Sequence, residues 1–387
     1  MSFIPPNSGA FVGGAGQAPF IQTTLDRVFG ESNPRKSMRP IGYMAMLLAQ
    51  SEVTDFTLGE PSGHRRTVKV KSAQRLSEFD VDDSQNFDCF KGTDQPYVTE
   101  DVELVASKSV GIPLDSRILN AYEAEYQRSV TANGSSPLTS VSMEMWERIN
   151  GAANALVSSS SKALFTDAVT KIGTNVRTGN NLATPVNVTL DTTNRNLSAM
   201  ETDILADFQE NEGGNMRPQI VGAGLFHKYA IQNQSVGMNQ SGLNTTILAQ
   251  NFDFFYDPFA TTALGTDEIL VYQPDAVRLV SFNENRGINA GVHANSTFGT
   301  IVVPFSTFGM NGEPIVNGVE FDFQLKAFDC AQDITDPYNG STYRVNKGWN
   351  MIMSLTQGIH TISANAYKDN DVMAGNRGSY RYSVTNT

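Results

Sequence analysis

Cysteine is nearly missing from this chain of 387 residues, which carries only Cys89 and Cys330, far apart and in no Cys-x-x-Cys pair. A disulfide framework, a structural zinc site and dithiol redox chemistry are therefore unsupported, and two isolated thiols fit folding in a reducing cytoplasm. Histidine is almost as scarce. His64, His227, His293 and His360 are scattered, with no His-Glu-x-x-His run and no pair one helical turn apart, so no metal site is expected. Basic charge is short as well: 28 Lys and Arg stand against 40 Asp and Glu, for a net charge of −12. Phosphate binding rests on Lys and Arg, so such a chain is a poor general binder of nucleic acid, and only local basic patches remain open. Long apolar runs are absent too. The most apolar stretch, Tyr43–Ala49, is far too short to span a bilayer, and a soluble protein with no membrane partner is expected. The opening residues have no basic segment followed by an apolar one, which argues against a signal peptide. Without one, the Asn-x-Ser/Thr triplets at Asn133, Asn187 and Asn239 read as by-products of composition.

The motifs of common catalysis are also lacking. There is no Gly-x-Ser-x-Gly elbow and no Walker-type phosphate loop. Gly222-Ala-Gly224 follows one short strand pattern, but His227 stands where a dinucleotide fingerprint needs a third small residue. No Asp or Glu follows between Gly213 and Phe252 to hold ribose hydroxyls. No spacing singles out one pair of carboxylates for acid–base work. No catalytic residue and no cofactor is expected.

What the chain does have is length, enough for two or three domains, and an abundance of Asn, Ser, Thr and Gly that suits turns, exposed strands and polar contacts. Residues 1–60 read as an arm, punctuated by Pro5, Pro6, Pro19, Pro34 and Pro40 and loosened by Gly13, Gly14 and Gly16. A helical patch at Pro40–Ser51 anchors it. The arm carries a basic knot at Arg35, Lys36 and Arg39, which is either a solvated face or a contact with nucleic acid.

The segment that follows is unusual in its charges. Arg65, Arg66, Lys69, Lys71 and Arg75 come without an acid among them; Glu78, Asp80, Asp82, Asp83 and Asp88 follow without a base. Val68 and Val70 alternate with Lys69 and Lys71, and Phe79 and Val81 alternate with acids, which is strand periodicity. A hairpin turning at Ser72–Ser77 sets the basic strand against the acidic one, with Tyr97–Val110 returning alongside. It is either a self-satisfied surface hairpin or a projecting arm that docks on a neighbour by charge complementarity.

Asp115–Ser129 reads as helical, and a long helix is expected over Ser136–Gly173. Ser136 suits the N-cap, Pro137 the first turn and Gly173 the stop. Apolar residues recur at Val141, Met145, Ile149, Ala152, Leu156, Leu164, Ala168 and Ile172, close to the 3.6-residue period. The rod is roughly 50 Å long at 1.5 Å per residue, more than one compact domain needs. The serine run Ser158–Ser161 is its weak point, because serine competes for backbone hydrogen bonds.

Past Gly173 the chain alternates strands and short helices. Strands are expected at Thr184–Leu190, Gln219–Val221, Phe252–Tyr256, Glu268–Tyr272 and Ala276–Phe282, with helices opening at the capping box Ser198–Glu201 and running from Leu225 to Gln232. The clearest strand is Val319–Ala327, whose apolar residues Val319, Phe321, Phe323 and Leu325 alternate with Glu320, Asp322, Gln324 and Lys326. Trp349–Leu355 alternates in the same way. Two long strands, each apolar on one face, are expected to pair antiparallel under the long helix.

This order of parts, with Pro218-Gln-Ile-Val-Gly-Ala-Gly-Leu-Phe226, Phe254-Phe-Tyr-Asp257 and Ile269-Leu-Val-Tyr-Gln-Pro-Asp-Ala276, resembles the major capsid proteins of tailed bacteriophages with the HK97 fold. The resemblance implies an α+β fold made of an N-terminal arm (1–60), an extended hairpin or E-loop (61–112), a peripheral domain with its spine helix (113–185), an axial domain (186–309) and a return to the peripheral sheet (310–387). It implies self-assembly into pentamers and hexamers of an icosahedral shell around double-stranded DNA, in a virion assembled in the host cytoplasm. The charged residues of 65–88 then become inter-subunit contacts, and Arg35, Lys36 and Arg39 face DNA. No long charged helical pattern precedes the hairpin, so a separate scaffolding protein and no N-terminal cleavage are expected, beside a portal and decoration proteins. Lys69, Lys71 and Lys91 are conceivable cross-link donors, but no Asn and Glu partners stand out. Competing readings are a tail tube or sheath subunit, an encapsulin-like compartment shell, and a β-rich enzyme with an unrecognised site.

Overall fold

The computed structural model describes residues 42–49, 56–58, 67–73, 97–114, 124, 140–171, 186–190, 203–206, 218–224, 252–272, 276–284, 291–293, 296–308, 314–328, 332–335, 340–345, 348–361 and 379–386. In chain order the elements begin with α1 (Gly42–Ala49), β1 (Phe56–Leu58), β2 (Thr67–Ala73), β3 (Tyr97–Glu103), β4 (Ala106–Leu114) and α2 (Ser140–Thr170). The middle holds β5 (Val186–Leu190), β6 (Gln219–Gly222), β7 (Asp253–Tyr256), α3 (Ala260–Ala263), β8 (Glu268–Tyr272), β9 (Val277–Ser281) and β10 (Gly291–His293). The rest is strand: β11 (Ser296–Phe308), β12 (Pro314–Phe328), β13 (Gln332–Thr335), β14 (Thr342–Val345), β15 (Gly348–Thr361) and β16 (Ser379–Asn386). The class is α+β, as expected.

The largest sheet has the order β10-β11-β12-β15-β4, all antiparallel. Strand β9 joins it where the pairing of β12 with β15 ends. Gln357 on β15 has Ala106 of β4 as one partner and Ser281 of β9 as the other, so β9 continues the edge that β12 leaves at Ser354. The expected pairing of Val319–Ala327 with Trp349–Leu355 is present, with Phe323 opposite Met353 and Leu325 opposite Met351. Period-two alternation turns Phe321, Phe323, Met351, Met353 and Leu355 to one face, where all are buried.

Helix α2 covers that face. It is 31 residues long and unbroken through Ser158–Ser161. Ile149, Ala153, Leu156, Leu164 and Ala168 share one apolar core with the strand residues, and the helix lies on β4 and β15. The expected stripe is narrower than the observed one, which adds Trp146, Val157 and Phe165. The reason is a second contact: α1 and α3 also touch the helix, and Phe165 meets the rings of Tyr43 and Phe259 edge-on at 5.2 and 6.2 Å. At its C-terminal end Lys171 bonds Asp167 and donates to the carbonyl of Ile359 on β15 at 3.3 Å, a favourable place for a cation. Ser136, Pro137 and Gly173, the expected caps, lie outside the described residues, as do nearly all of Asp115–Ser129 and all of Leu225–Gln232.

A five-stranded mixed sheet has the order β5-β16-β8-β6-β7. Strand β8 reads Glu-Ile-Leu-Val-Tyr because both its faces are covered. Ile269 and Val271 pack with Val188, Ile220, Tyr380 and Tyr382, while Leu270 and Tyr272 belong to the core around α1 and α2. Two sheet assignments differ from expectation. The last strand, β16, pairs with β5 and β8 rather than returning to the large sheet, and β9, β10 and β11 belong to the large sheet rather than to the axial part. The physical reason is that Tyr380, Tyr382 and Val384 form one apolar face that suits any half-covered sheet, so periodicity alone did not choose between them.

Candidate functional site: the hairpin and its seat

Strands β1, β2 and β3 form a separate three-stranded sheet. The basic strand β2 runs over Thr67–Ala73, and the acids expected opposite it at 78–88 lie outside the described residues. Its observed partners are β1 and β3, so the residues opposite Thr67, Lys69 and Val70 are Glu103, Asp101 and Glu100. The charge complementarity exists, but the acids come from β3. This follows from the alternation: pairing Val68 with Val102 and Val70 with Glu100 puts Val68, Val70 and Val102 into one small core, closed by Leu104, Val280 and Phe282. Lys69 and Asp101 both face solvent. Lys71 lies on β2; Arg65, Arg66, Arg75, Glu78, Asp80, Asp82, Asp83 and Asp88 lie outside the described residues, as do Arg35, Lys36, Arg39, Lys91, Cys89 and Cys330.

The hairpin sheet sits on β15. Odd-numbered Met351, Met353, Leu355 and Ile359 face the helix core, so Thr356, Gly358 and His360 share the other face. Each does something different there. The hydroxyls of Thr356 and of Ser107 on β4 lie 3.4 Å apart. A Cβ on Gly358 would stand 2.5 Å from the carbonyl oxygen of Glu103, so only glycine lets β3 approach. His360 Nε2 lies 2.9 Å from Glu100 Oε2 on β3. The carboxylate accepts, so Nε2 carries the proton in this pair, and the buried Nδ1 has no partner among the described residues. The sequence signal for this seat was a glycine inside a strand two residues before a histidine, and reading the histidines only for metal spacing missed it.

The Gly222-Ala-Gly224 motif has a packing role. A Cβ on Gly222 would strike Ile269 at 2.5 Å. Gly224 has a φ of +65°, and a Cβ there would meet the carbonyl oxygen of Thr266 at 2.1 Å. The motif brings the end of β6 against β8 and the turn before it.

Asp257, just past β7, is buried and holds two helix starts. Its Oδ2 accepts the backbone N–H of Tyr43 at 2.9 Å and its Oδ1 that of Phe259 at 2.9 Å. Beside it lies a cleft of about 420 Å³ lined by Met44, Val157, Ser161, Lys162, Asp257 and Phe259. The Lys162 ammonium is 5.9 Å from the Phe259 ring centroid. With its carboxylate engaged by backbone N–H groups, Asp257 acts here as a helix anchor. Burial pushes the Tyr43 and Tyr272 hydroxyls well above the usual phenol range. Among the described residues no three His, Cys, Asp or Glu side chains come together to hold a metal ion, and no helix is long and apolar enough to cross a membrane.

No family model and no curated protein matches the sequence. Solved structures do. The capsid structure of cyanophage P-SCSP1u is 11% identical with a TM-score of 0.35, the match covering 99% of each chain. The capsid of Ralstonia phage GP4 is 10% identical with a TM-score of 0.35, over 90% of this chain and 92% of that one. The capsid of Myoviridae phage XM1 is 9% identical with a TM-score of 0.34, over 88% and 92%. All three are capsid structures of phages.

Proposed function

We propose that this chain is the major capsid protein of a tailed bacteriophage, with the HK97 fold, assembling into pentamers and hexamers of an icosahedral shell around double-stranded DNA. The observation that carries the reading is one junction: a hairpin sheet with its own small core leaves the large antiparallel sheet at Leu104–Val105, while a 31-residue helix spans the opposite face. In this reading β1–β3 is the E-loop, α2 the spine helix and the five-stranded sheet the core of the axial domain. The peripheral sheet combines β4, β9, β10, β11, β12 and β15. Function lies in assembly, through many modest polar contacts that add by multivalency, and no residue acts as a catalyst. The charged residues of 65–88 meet neighbouring copies, and Arg35, Lys36 and Arg39 face the DNA. A separate scaffolding protein, a portal and decoration proteins complete the virion, which is put together in the host cytoplasm.

Electron microscopy of the expressed chain, alone and co-expressed with a scaffolding protein, tests this. Closed shells are expected. Tubes point to a tail subunit, particles filled with an enzyme point to a cellular compartment, and a monodisperse monomer under every condition overturns the reading.

A further inference from the structure

The seat on β15 combines a close backbone approach with a polar pair. Beside the short apolar core that includes Val280 and Phe282, the close approach of Glu103 at Gly358 and the pair His360–Glu100 join the hairpin sheet to β15. His360 is 6% exposed and Glu100 24% exposed, so the bond is sheltered on the sheet side and open on the hairpin side. Gly358 lets the backbone of Glu103 come close but offers no directional contact of its own. A glycine seat is a pivot, and a pivot needs a stop. His360 stands two residues further along the same strand face, and Glu100 three residues before Glu103 on β3. The bond between them fixes rotation about the contact, because two points of attachment define an angle where one does not. Histidine makes a good stop, since it has few rotatable bonds and its strand is paired here with β9, where His360 lies opposite Arg278.

We propose that His360 is a positioning residue which, through Glu100, sets the angle at which the hairpin sheet leaves the large sheet. The consequence for particles rests on the capsid reading above: a hairpin that reaches a second copy must arrive at a set angle, so His360 tunes the curvature of the assembly.

The test uses the full chain in two arms. In the unassembled protein, peptide-resolved hydrogen exchange is compared for wild type, His360→Ala, His360→Gln and Glu100→Ala. Exchange in β1, β2 and β3 is expected to rise about tenfold in both alanine variants, with β11 and β12 unchanged. His360→Gln keeps a side-chain N–H for Glu100 and is expected to recover most of the protection. Unchanged exchange in the hairpin, or a uniform rise across the chain that glutamine does not rescue, overturns the proposal. Glu100→Ala, on the more open partner, keeps the test decisive where His360→Ala fails to fold. In the second arm, negative-stain microscopy of assemblies is expected to show mixed sizes or open sheets for His360→Ala and regular particles for His360→Gln. Regular particles from a variant with a loosened hairpin overturn the curvature role. Absence of particles from wild type counts against the capsid reading alone, since the exchange arm does not depend on assembly.

Discussion

The backbone N–H of Tyr43 donates to the Asp257 carboxylate at 2.9 Å, joining residues 214 positions apart. A second bond, from the Phe259 N–H to the other oxygen, makes one side chain the anchor of both α1 and α3. Helix α1 is almost wholly apolar and has no acidic residue in its first turn, and this carboxylate satisfies one of its orphan N–H groups, that of Tyr43. Asp257→Ala is expected to lower stability by roughly 2–3 kcal/mol, two caps' worth. Asp257→Asn retains one acceptor oxygen and should lose about half as much. Urea denaturation measures the size, and hydrogen exchange should show the loss concentrated at 42–49.

The serine run in α2 offers a prediction of opposite sign. Ser158 and Ser159 face solvent, while Ser160 is fully buried and its hydroxyl has no partner among the described residues. Replacing that hydroxyl by hydrogen removes a desolvated polar group and improves helix propensity. Ser160→Ala is therefore expected to stabilise by about 1–2 kcal/mol, and Ser159→Ala by about 0.5 kcal/mol or less. Thermal unfolding of the two variants side by side checks the difference. Equal effects would mean that burial of the hydroxyl has no consequence.

Tyr43 and Tyr272 predict how the protein meets alkali. Both rings lie in the core 5.9 Å apart, and burial raises both hydroxyls above the ordinary phenol range. Above a pH of about 10 the unfolded chain releases these protons while the folded chain keeps them, so the unfolded state binds fewer protons and stability falls as pH rises. The stabilising preference is fully present below a pH of about 10 and is lost towards the raised folded value. Tyr43→Phe and Tyr272→Phe each remove one such group and should flatten the decline. The measurement is the urea midpoint from about pH 8 to about pH 11.5, spanning the ordinary phenol range. A decline as steep in the double variant as in wild type would falsify this origin.

Much of the fold was legible because single-element periodicity is local. The alternation Val319, Phe321, Phe323, Leu325 marked a one-faced strand, and the spacing Ile149, Ala152, Leu156, Leu164, Ala168 marked a helix to cover it. Both are found, packed together as expected. Strand partners were harder, since pairing depends on residues far away. The alternation of Val68 and Val70 was correct, but their packing with Val102 of β3 rests on a core built with Val280 and Phe282, from β9 and just beyond it. The seat at Gly358 and His360 was invisible for the same reason: each residue is unremarkable until β3 is placed on β15. Asp257 closes the motif Phe254-Phe-Tyr-Asp257, yet its use as a cap required knowing where Tyr43 lies.

The placement of β16 gives the last prediction. It is an inner strand, parallel to β5 and antiparallel to β8, and it brings Tyr380, Tyr382 and Val384 into the second core. Arg381 points the other way, where its Nε donates to Glu268 Oε2 at 2.6 Å and its guanidinium donates to the carbonyl of Leu264 at 3.1 Å. The two faces should therefore respond differently. Tyr382→Ala empties a fully buried site, and by analogy with other aromatic truncations it should lose about 3–5 kcal/mol. Arg381→Ala breaks partly exposed charge-assisted bonds and should lose only about 1–2 kcal/mol. Deleting 379–387 leaves β5 without a partner and β8 with an open edge, so the five-stranded sheet should unfold while the β11–β12 pair keeps its hydrogen-exchange protection. If β16 belonged to the large sheet instead, the deletion would strip protection from β12 and β15 and spare β6 and β8. Exchange mapping of the truncated chain distinguishes the two outcomes directly.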